Sequence, residues 1–409
     1  MNRMSALLPL VVLSLAASGR APETSRVVVY EGARLITGDG SGPIENAAFS
    51  VEDGRIVAVG AAGKVPTPSG ATRVDLTGMT VMPAIVDTHV HMNTTREALI
   101  NDLKLPACFG VGAALSMGSD IADAPLATRA EVIPGAARFR SAGSGITSPE
   151  PGRREVHWVK TEAEARQAVR DEAARKADLI KIWVDDRDGR YQKLSPPLYG
   201  AVIDEAHKHQ LRVAAHIFNL ADGKGLLRAG LDILAHGVRD WDIDDEFLRL
   251  VAQRPNLVLI PNLPARGVKT DSSWLAGFIE DADLAKLQAG GVDAAAQEAF
   301  GIQARNLARL NARGVTIALG SDGNTPWAPH VEMEDMVATG MTPAQVLVAA
   351  TRNGAAVLGL SDMGAIKAGK SADFIVLKGN PLDDITNTRR IGSVYLRGER
   401  VDRTRASAR

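Results

Sequence analysis

An apolar run that ends in two histidines decides the interpretation of this sequence: Val81-Met82-Pro83-Ala84-Ile85-Val86-Asp87-Thr88-His89-Val90-His91. Alternate side chains of a β-strand point to the same face, so we expect His89 and His91 to project together from the end of one buried strand, 81–91. Two imidazoles that converge in this way suit a transition metal such as zinc. Two surface histidines at a strand end are the alternative, and the rest of the chain decides between the two.

The composition is ordinary for a globular protein. Of the 409 residues, 45% are hydrophobic and 23% are charged, and the formal net charge is −1. This balance gives no electrostatic case for a nucleic acid or an anionic membrane surface as a partner. We therefore expect a small-molecule substrate. Whether the protein forms a homo-oligomer is left open by the sequence. The single cysteine, Cys108, excludes an internal disulfide.

Residues 1–21 have the features of a secretory signal peptide. Arg3 supplies a positive charge, and residues 7–17 form an apolar core too short to span a bilayer. Small residues follow up to Ala21, so cleavage is expected near 18–21. The sequence thus predicts a secreted or periplasmic protein, with an uncleaved apolar tail as the alternative.

Strand patterns occur at both ends of the remaining chain. The turn signal Asp53-Gly54 joins two of them as a tight hairpin. The predicted strands are 26–30, 47–51, 55–59, 74–79, 371–377 and 393–398. We expect them to form a small discontinuous β-sandwich domain made of residues 22–80 and 362–409.

Between residues 81 and 361, apolar strands alternate with helical patterns. The strands are predicted at 81–91, 111–117, 136–142, 179–184, 212–216, 233–236, 257–261 and 316–322. The helices are predicted from the capping box at Thr161 onward and at 198–209, 244–253, 295–313 and 343–358. This α/β pattern predicts a (β/α)8 TIM barrel over 81–361. An open doubly wound sheet is the alternative, but the chain has no Gly-rich phosphate loop after its first strand.

Polar residues stand at the ends of five of the eight strands, where a barrel of this kind has its active site. In strand order they are His89 and His91, then Lys181, His216, His236 and Asp322. Four of the eight histidines lie at predicted strand ends, which favours a site over scattered surface positions. The alternatives are a lysine that reaches solvent, two core histidines and an aspartate that caps a helix.

This order of residues resembles the amidohydrolase superfamily, in its binuclear-metal type with a carboxylated lysine. The resemblance extends over about residues 26–403. The flanking sequences are similar to the imidazolonepropionase-like and prolidase-like group: Leu-Ile-Lys181-Ile, Ala-Ala-His216, Ala-His236-Gly, Leu-Gly-Ser-Asp322 and the tail from Gly364 to Phe374.

The resemblance implies a centre of two divalent metal ions, with zinc expected. The more buried ion would be bound by His89, His91 and Asp322, the second by His216 and His236, and both by Lys181 carboxylated by CO2. A lysine in an apolar strand is costly without a partner, and a carbamate would make it an anionic bridge. The resemblance also implies that such a centre makes hydroxide available near neutral pH, with Asp322 as the catalytic acid and base.

The implied activity is hydrolysis of an amide-type C–N bond in an N-acyl amino acid, an aryl amide or a peptide-like substrate. A carbamate, ester or lactone hydrolase on the same site is the alternative. A decarboxylase or isomerase is disfavoured by Lys181, and a non-catalytic binding protein by the complete ligand set.

Two departures from the dipeptidase pattern argue against a standard dipeptidase. The loop after strand three, 143–152, lacks a histidine, and position 218 is Phe where Tyr is typical. Residues beyond the strand ends instead indicate an aromatic substrate, with ordinary loop packing as the alternative. The candidate substrate contacts are Phe218, Trp183, Trp241, Trp327 and His330.

Overall fold

Two kinds of sheet organise residues 27–404, which are the residues that the computed structural model describes. The strands are β1 (Val28–Leu35), β2 (Ile44–Glu52), β3 (Arg55–Ala61), β4 (Thr72–Asp75), β5 (Thr80–Pro83), β6 (Ile85–Val90), β7 (Val111–Ser116), β8 (Arg138–Ser141), β9 (Ile146–Thr147), β10 (His157–Trp158), β11 (Ile180–Trp183), β12 (Val213–His216), β13 (Ile233–Ala235), β14 (Val258–Ile260), β15 (Thr316–Ile317), β16 (Phe374–Leu377), β17 (Ile391–Leu396) and β18 (Glu399–Arg400). The predicted signal peptide, 1–21, lies outside the described residues.

Helices connect most strands of the parallel sheets. They are α1 (Arg96–Cys108), α2 (Asp123–Thr128), α3 (Glu162–Ala174), α4 (Pro196–Lys208), α5 (Leu220–Ala229), α6 (Asp245–Ala252), α7 (Asp281–Gln288), α8 (Ala294–Ala312), α9 (Ala328–Ala338), α10 (Pro343–Val348) and α11 (Gly354–Val357). Short 3-10 turns lie at Ser273–Leu275 and Ile385–Arg389, and a π-helical turn, Ala349–Asn353, interrupts the helix predicted at 343–358. Across the described residues, none of these helices combines the length and apolar character needed to cross a membrane.

The two ends of the described chain form one eight-stranded sheet, ordered β18-β17-β16-β5-β1-β2-β3 with β4 beside β1. Aromatic rings from both ends fill its core. Tyr30 stacks on Phe49 at 4.9 Å, Phe374 stacks on Tyr395 at 4.6 Å, and Tyr30 meets Phe374 edge-on at 5.1 Å. The N-terminal and C-terminal halves of this sheet therefore face each other across a shared apolar core. Neither half could bury its aromatic face without the other.

The prediction of one continuous strand over residues 81–91 is wrong. This stretch consists of β5, which pairs with β16 in the small sheet, and β6, which pairs with β7 in the barrel. The hydrogen-bond partner changes at Ala84, whose N–H donates to Asp373, whereas the N–H of Ile85 donates to Gly110. Both halves are buried, so the apolar pattern carries no sign of the change. The small sheet consequently extends to Pro83, beyond the expected boundary at residue 80.

Eight of the ten remaining strands, β6 to β8 and β11 to β15, form a closed parallel barrel, as predicted. The short strands β9 and β10 were not predicted and pair beside β11. The ten strands comprise two sheets, β6-β7-β8 and β10-β9-β11-β12-β13-β14-β15. Backbone hydrogen bonds join their edges: Thr88 N–H donates to Leu319 O at 2.9 Å, and Asp178 N–H donates to Ser141 O at 2.8 Å. The first strand therefore lies beside the eighth, and the strand ends converge on one mouth.

Candidate metal centre

His89, His91 and Asp322 form the tightest group of donors in the barrel. Asp322 Oδ1 lies 3.2 Å from His89 Nε2 and 3.1 Å from His91 Nε2. One ligand atom from each residue lies within 4.8 Å of the others. Asp322 has a left-handed backbone, with φ of 55°, and its N–H donates to His89 O at 2.7 Å. This uncommon conformation for an aspartate is held by the neighbouring strand.

Lys181 is fully buried beside this group on β11. Its Nζ lies 3.2 Å from His89 Nε2, and among the described residues no carboxylate lies within salt-bridge distance of it. Burial lowers the pKa of Lys181 to about 7, against the opposing charge of Asp322. Much of the amine is therefore neutral near pH 7. The neutral amine is the form that can react with CO2 to give a carbamate.

His216 and His236 extend the cluster to six residues. Their ring centroids are 4.5 Å apart, and His236 Nε2 lies 3.6 Å from Asp322 Oδ2. Burial lowers the pKa of His216 to about 4 and that of His236 well below its usual value. Both imidazoles are therefore neutral at pH 7, which is the form that binds metals. The structure thus brings together all six residues predicted as ligands.

His236 Nε2 tests whether a metal suits this donor set. It is buried without a hydrogen-bond partner, a condition that costs about 1–3 kcal/mol for a polar group. A divalent ion shared with His216 would satisfy it. Imidazole nitrogens, a carboxylate and a carbamate are suitable ligands for zinc and similar ions. The residues present therefore fit a metal centre.

Three residues that support the ligand histidines were not identified from the sequence. Asn262 Oδ1 lies 2.9 Å from His89 Nδ1, Ser119 Oγ lies 3.3 Å from His91 Nδ1, and Asp185 Oδ2 lies 3.2 Å from His216 Nε2. Such partners fix the tautomer and orientation of a metal-binding imidazole. Each stands in a loop just beyond a strand, where no sequence pattern sets it apart from other loop residues.

Asp87 was also not identified from the sequence, although its spacing from His89 could have identified it. It lies two residues before His89, on the same face of β6. Its carboxylate accepts hydrogen bonds from the N–H of Ser321 at 3.0 Å and the O–H of Ser321 at 2.6 Å. Burial raises its pKa to about 7. Asp87 thereby ties the first strand to the turn that carries Asp322.

Of the predicted substrate contacts, Phe218 and Trp183 lie beside the cluster. The Phe218 ring is 4.4 Å from the His216 ring and 5.2 Å from the His236 ring. Trp183 is buried, with its ring centroid 5.4 Å from Lys181 Nζ. Its space depends on Gly145, where a Cβ would lie 2.1 Å from the indole. Trp183 therefore packs against the lysine as part of the barrel interior.

The other three predicted contacts have different surroundings. Trp241 is 70% exposed, and the Trp327 ring packs 6.0 Å from that of Phe109. The prediction that His330 faces a substrate is wrong. His330 is buried, with Nε2 2.8 Å from Phe109 O and Nδ1 3.0 Å from Thr388 Oγ1. Both of its ring nitrogens are occupied by the protein.

Comparisons with known proteins agree with this geometry. Residues 80–401 match the sequence model of the amidohydrolase family. Ochratoxinase from Aspergillus niger is 25% identical, covering 92% of this chain and 85% of the relative, and imidazolonepropionase from Deinococcus radiodurans is 27% identical, covering 88% and 92%. A Bifidobacterium longum structure assigned as a prolidase superposes with a TM-score of 0.77 at 26% identity, covering 92% and 94%. The chain therefore belongs to the amidohydrolase family, in its imidazolonepropionase- and prolidase-like group of hydrolases that act on C–N bonds.

Proposed function

We propose that this protein is a binuclear metal-dependent hydrolase of amide-type C–N bonds. The observation that carries the proposal is the unpaired, buried His236 Nε2 in a cluster of six donors that includes Lys181, which is buried without a carboxylate partner among residues 27–404. His89, His91 and Asp322 would hold one divalent ion, expected to be zinc, and His216 and His236 the other. Lys181, carboxylated on Nζ, would bridge them.

The protein's own groups are arranged for proton transfer at Asp322. When bound, the two ions would supply an activated water at neutral pH and polarise the scissile carbonyl. Burial raises the pKa of Asp322, but the hydrogen bond with His91 and the neighbouring His236, His91 and Lys181 side chains lower it by more, so it falls below its usual range. The carboxylate is thus ionised. It can accept the proton of the attacking water and pass it to the leaving nitrogen.

For the substrate, we propose an N-acyl amino acid, an aryl amide or a peptide-like amide with an aromatic group. Phe218 beside His216 and the exposed Trp241 support the aromatic part of this proposal. The relatives named ochratoxinase, imidazolonepropionase and prolidase act on different compounds, so their names do not choose among these classes. A carbamate, ester or lactone on the same site is the second candidate. A decarboxylase, an isomerase or a binding protein has the least support because the ligand set is complete.

We also propose that the protein is exported, because residues 1–21 have the composition of a signal peptide. Expression of the full chain in a bacterial host, followed by N-terminal sequencing of the periplasmic fraction, tests this. A new N-terminus near residues 19–22 is expected. Retention of Met1 in the cytosol would contradict it.

Metal content and turnover test the main proposal together. Protein purified without chelators is expected to contain two divalent ions per chain by mass spectrometry of metals. It is expected to hydrolyse some members of a panel of N-acyl amino acids, dipeptides, aryl amides, carbamates and lactones. Removal of the ions should abolish turnover, and zinc should restore it. His236→Ala should bind fewer ions. Full turnover after complete metal removal would contradict the proposal.

A further inference from the structure

The ring of Phe218 contacts both Arg239 and the candidate ligands His216 and His236. Arg239 follows β13 by a few residues, and its Cζ lies 3.1 Å from the centroid of the Phe218 ring. The N–H of Arg239 donates to Phe218 O at 2.9 Å, which fixes the two residues relative to each other. The guanidinium is thus a positioned group at the edge of the candidate centre.

The charge of Arg239 lacks a partner in the protein. Although the residue is partly buried, its guanidinium makes no hydrogen bond or ion pair with any residue between 27 and 404. Burial lowers the pKa of Arg239 to about 10, against the opposing charges of Asp322 and Asp185, so the group remains positive at pH 7. A partly desolvated cation without a counter-ion is unfavourable unless a ligand supplies one.

Two neighbouring arginines differ from Arg239 in this respect. Arg153 also stacks on an aromatic ring, that of Trp183 at 3.8 Å, but it pairs with Glu150 at 3.4 Å and Glu155 at 3.3 Å. Arg187 pairs with Asp185 at 2.8 Å. Glu150, Glu155 and Asp185 are therefore paired with other arginines, and no carboxylate among residues 27–404 lies within salt-bridge distance of the Arg239 guanidinium.

We propose that Arg239 binds a carboxylate of the substrate, so that the preferred substrates are N-acyl amino acids with a free carboxylate near the scissile amide. This inference rests on the proposed amide hydrolysis. A guanidinium stacked on a ring keeps the N–H groups of its edge available, and these match the two oxygens of a carboxylate. Arg239 would then hold the carboxylate of the substrate beside the ligand cluster. It is a specificity residue and takes no part in bond breaking.

A matched pair of substrates tests this assignment. N-benzoyl-phenylalanine and N-benzoyl-phenethylamine differ only in the carboxylate. The wild type is expected to prefer the acid. In Arg239→Gln, kcat/KM for the acid should fall about 10- to 100-fold, mainly through KM, as for the loss of a charge-assisted hydrogen-bonded pair. The rate for the neutral amide should stay unchanged. Arg239→Lys keeps the positive charge but loses the planar pair of N–H donors. Its kcat/KM for the acid should lie between those of the wild type and R239Q.

Arg153→Gln is the matched control, because it removes a stacked arginine whose charge is already paired. It should leave the acid-to-neutral ratio at the wild-type value. The inference is overturned if R239Q lowers both rates equally or keeps the wild-type ratio.

Calorimetric binding of N-benzoyl-phenylalanine separates this inference from the proposed hydrolysis. If the wild type cleaves neither compound, the proposed function fails for this amide, and the binding comparison still decides the role of Arg239. Weaker binding by R239Q than by wild type and R153Q supports it. Equal affinity of all three proteins overturns it.

Discussion

Two buried histidines in this protein look alike by burial and differ in what surrounds them. His236, in the ligand cluster, has an Nε2 without a hydrogen-bond partner. His330, on α9, has both ring nitrogens bonded, to Phe109 O and Thr388 Oγ1. Burial lowers the pKa of both. Burial and a shifted pKa therefore do not mark a site, and what sets His236 apart is an imidazole nitrogen that lies unpaired among candidate metal ligands.

The charges around the two regions show the same contrast. Beside α9, Arg266 pairs with Glu334 at 2.6 Å and Asp335 at 2.7 Å, and Arg389 also pairs with Glu334. In the ligand cluster, Lys181 has no carboxylate within salt-bridge distance among residues 27–404. Within the described residues, Glu334 and Asp335 on α9 are therefore paired with arginines of the chain, although the buried Glu332 on the same helix is not. Lys181 differs in that no carboxylate of the described residues lies near enough to pair with it.

Of the substitutions that test this contrast, Lys181→Ala has the largest expected effect. Without the amine, no carbamate can form, so we expect fewer than two bound ions and a loss in kcat on the order of 10³-fold or more. Metal analysis and steady-state kinetics on an amide substrate measure both effects. Acetate or propionate should restore part of the activity by occupying the vacated space. The exposed Lys208, changed to Ala, is the control. Full K181A activity without added carboxylate would contradict the bridging role.

His330→Gln tests the other side of the contrast through pH. Burial, aided by the charges of Arg389 and Arg403, lowers the pKa of folded His330 to about 4, below the unfolded value near 6.5. The unfolded state thus binds the extra proton, and the stability contribution of neutral His330 is present above pH 6.5 and lost as the pH falls towards 4. From pH 7 to pH 5, the free energy of unfolding of the wild type should drop by about 2 kcal/mol more than that of the variant.

Denaturant unfolding of metal-free protein at the two pH values measures this difference. His330→Leu serves as a companion, because it also removes the titration but changes the packing differently. Both variants should show the same reduced pH dependence, even if their stabilities at pH 7 differ. An unchanged pH dependence in both would show that His330 does not titrate as its surroundings indicate.

The positions of the six candidate ligands could be predicted because a strand end is a position in both the chain and the fold. Once the alternation of strands and helices indicates a barrel, residues at strand ends must meet at one mouth. Local patterns thus place Lys181 and His236 at this mouth, and the family resemblance implies their roles as metal ligands. The capping box at Thr161, which the structure contains, is local in the same way.

What the sequence could not reveal depends on contacts between distant parts of the chain. His330 lies soon after Asp322, as a substrate contact would, and its burial is decided by Phe109, 221 residues away. The division of 81–91 is decided by β16, near the other end of the chain. Arg239 is one arginine among many until the structure reveals which arginines already have a partner.

Asn262→Ala is the most delicate test of the contrast, because it removes one hydrogen bond from a buried ligand histidine. Since Asn262 Oδ1 accepts from His89 Nδ1, Nε2 stays free to face Asp322 and Lys181. Loss of the Asn262–His89 hydrogen bond should weaken metal binding about 10- to 100-fold, measured by competition with a chelator. Asn262→Gly should do the same without the strain that alanine meets at the φ of 41°.

Thr388→Val is the control from the other region, because it removes a hydrogen bond from buried His330 instead. It should lower stability and leave metal affinity unchanged, since His330 has no part in the ligand cluster. If both Asn262 variants lowered only stability, the Asn262–His89 bond would be a packing contact of the kind seen at His330. The unpaired Nε2 of His236 would then be the one remaining feature that distinguishes the ligand cluster from the surroundings of His330.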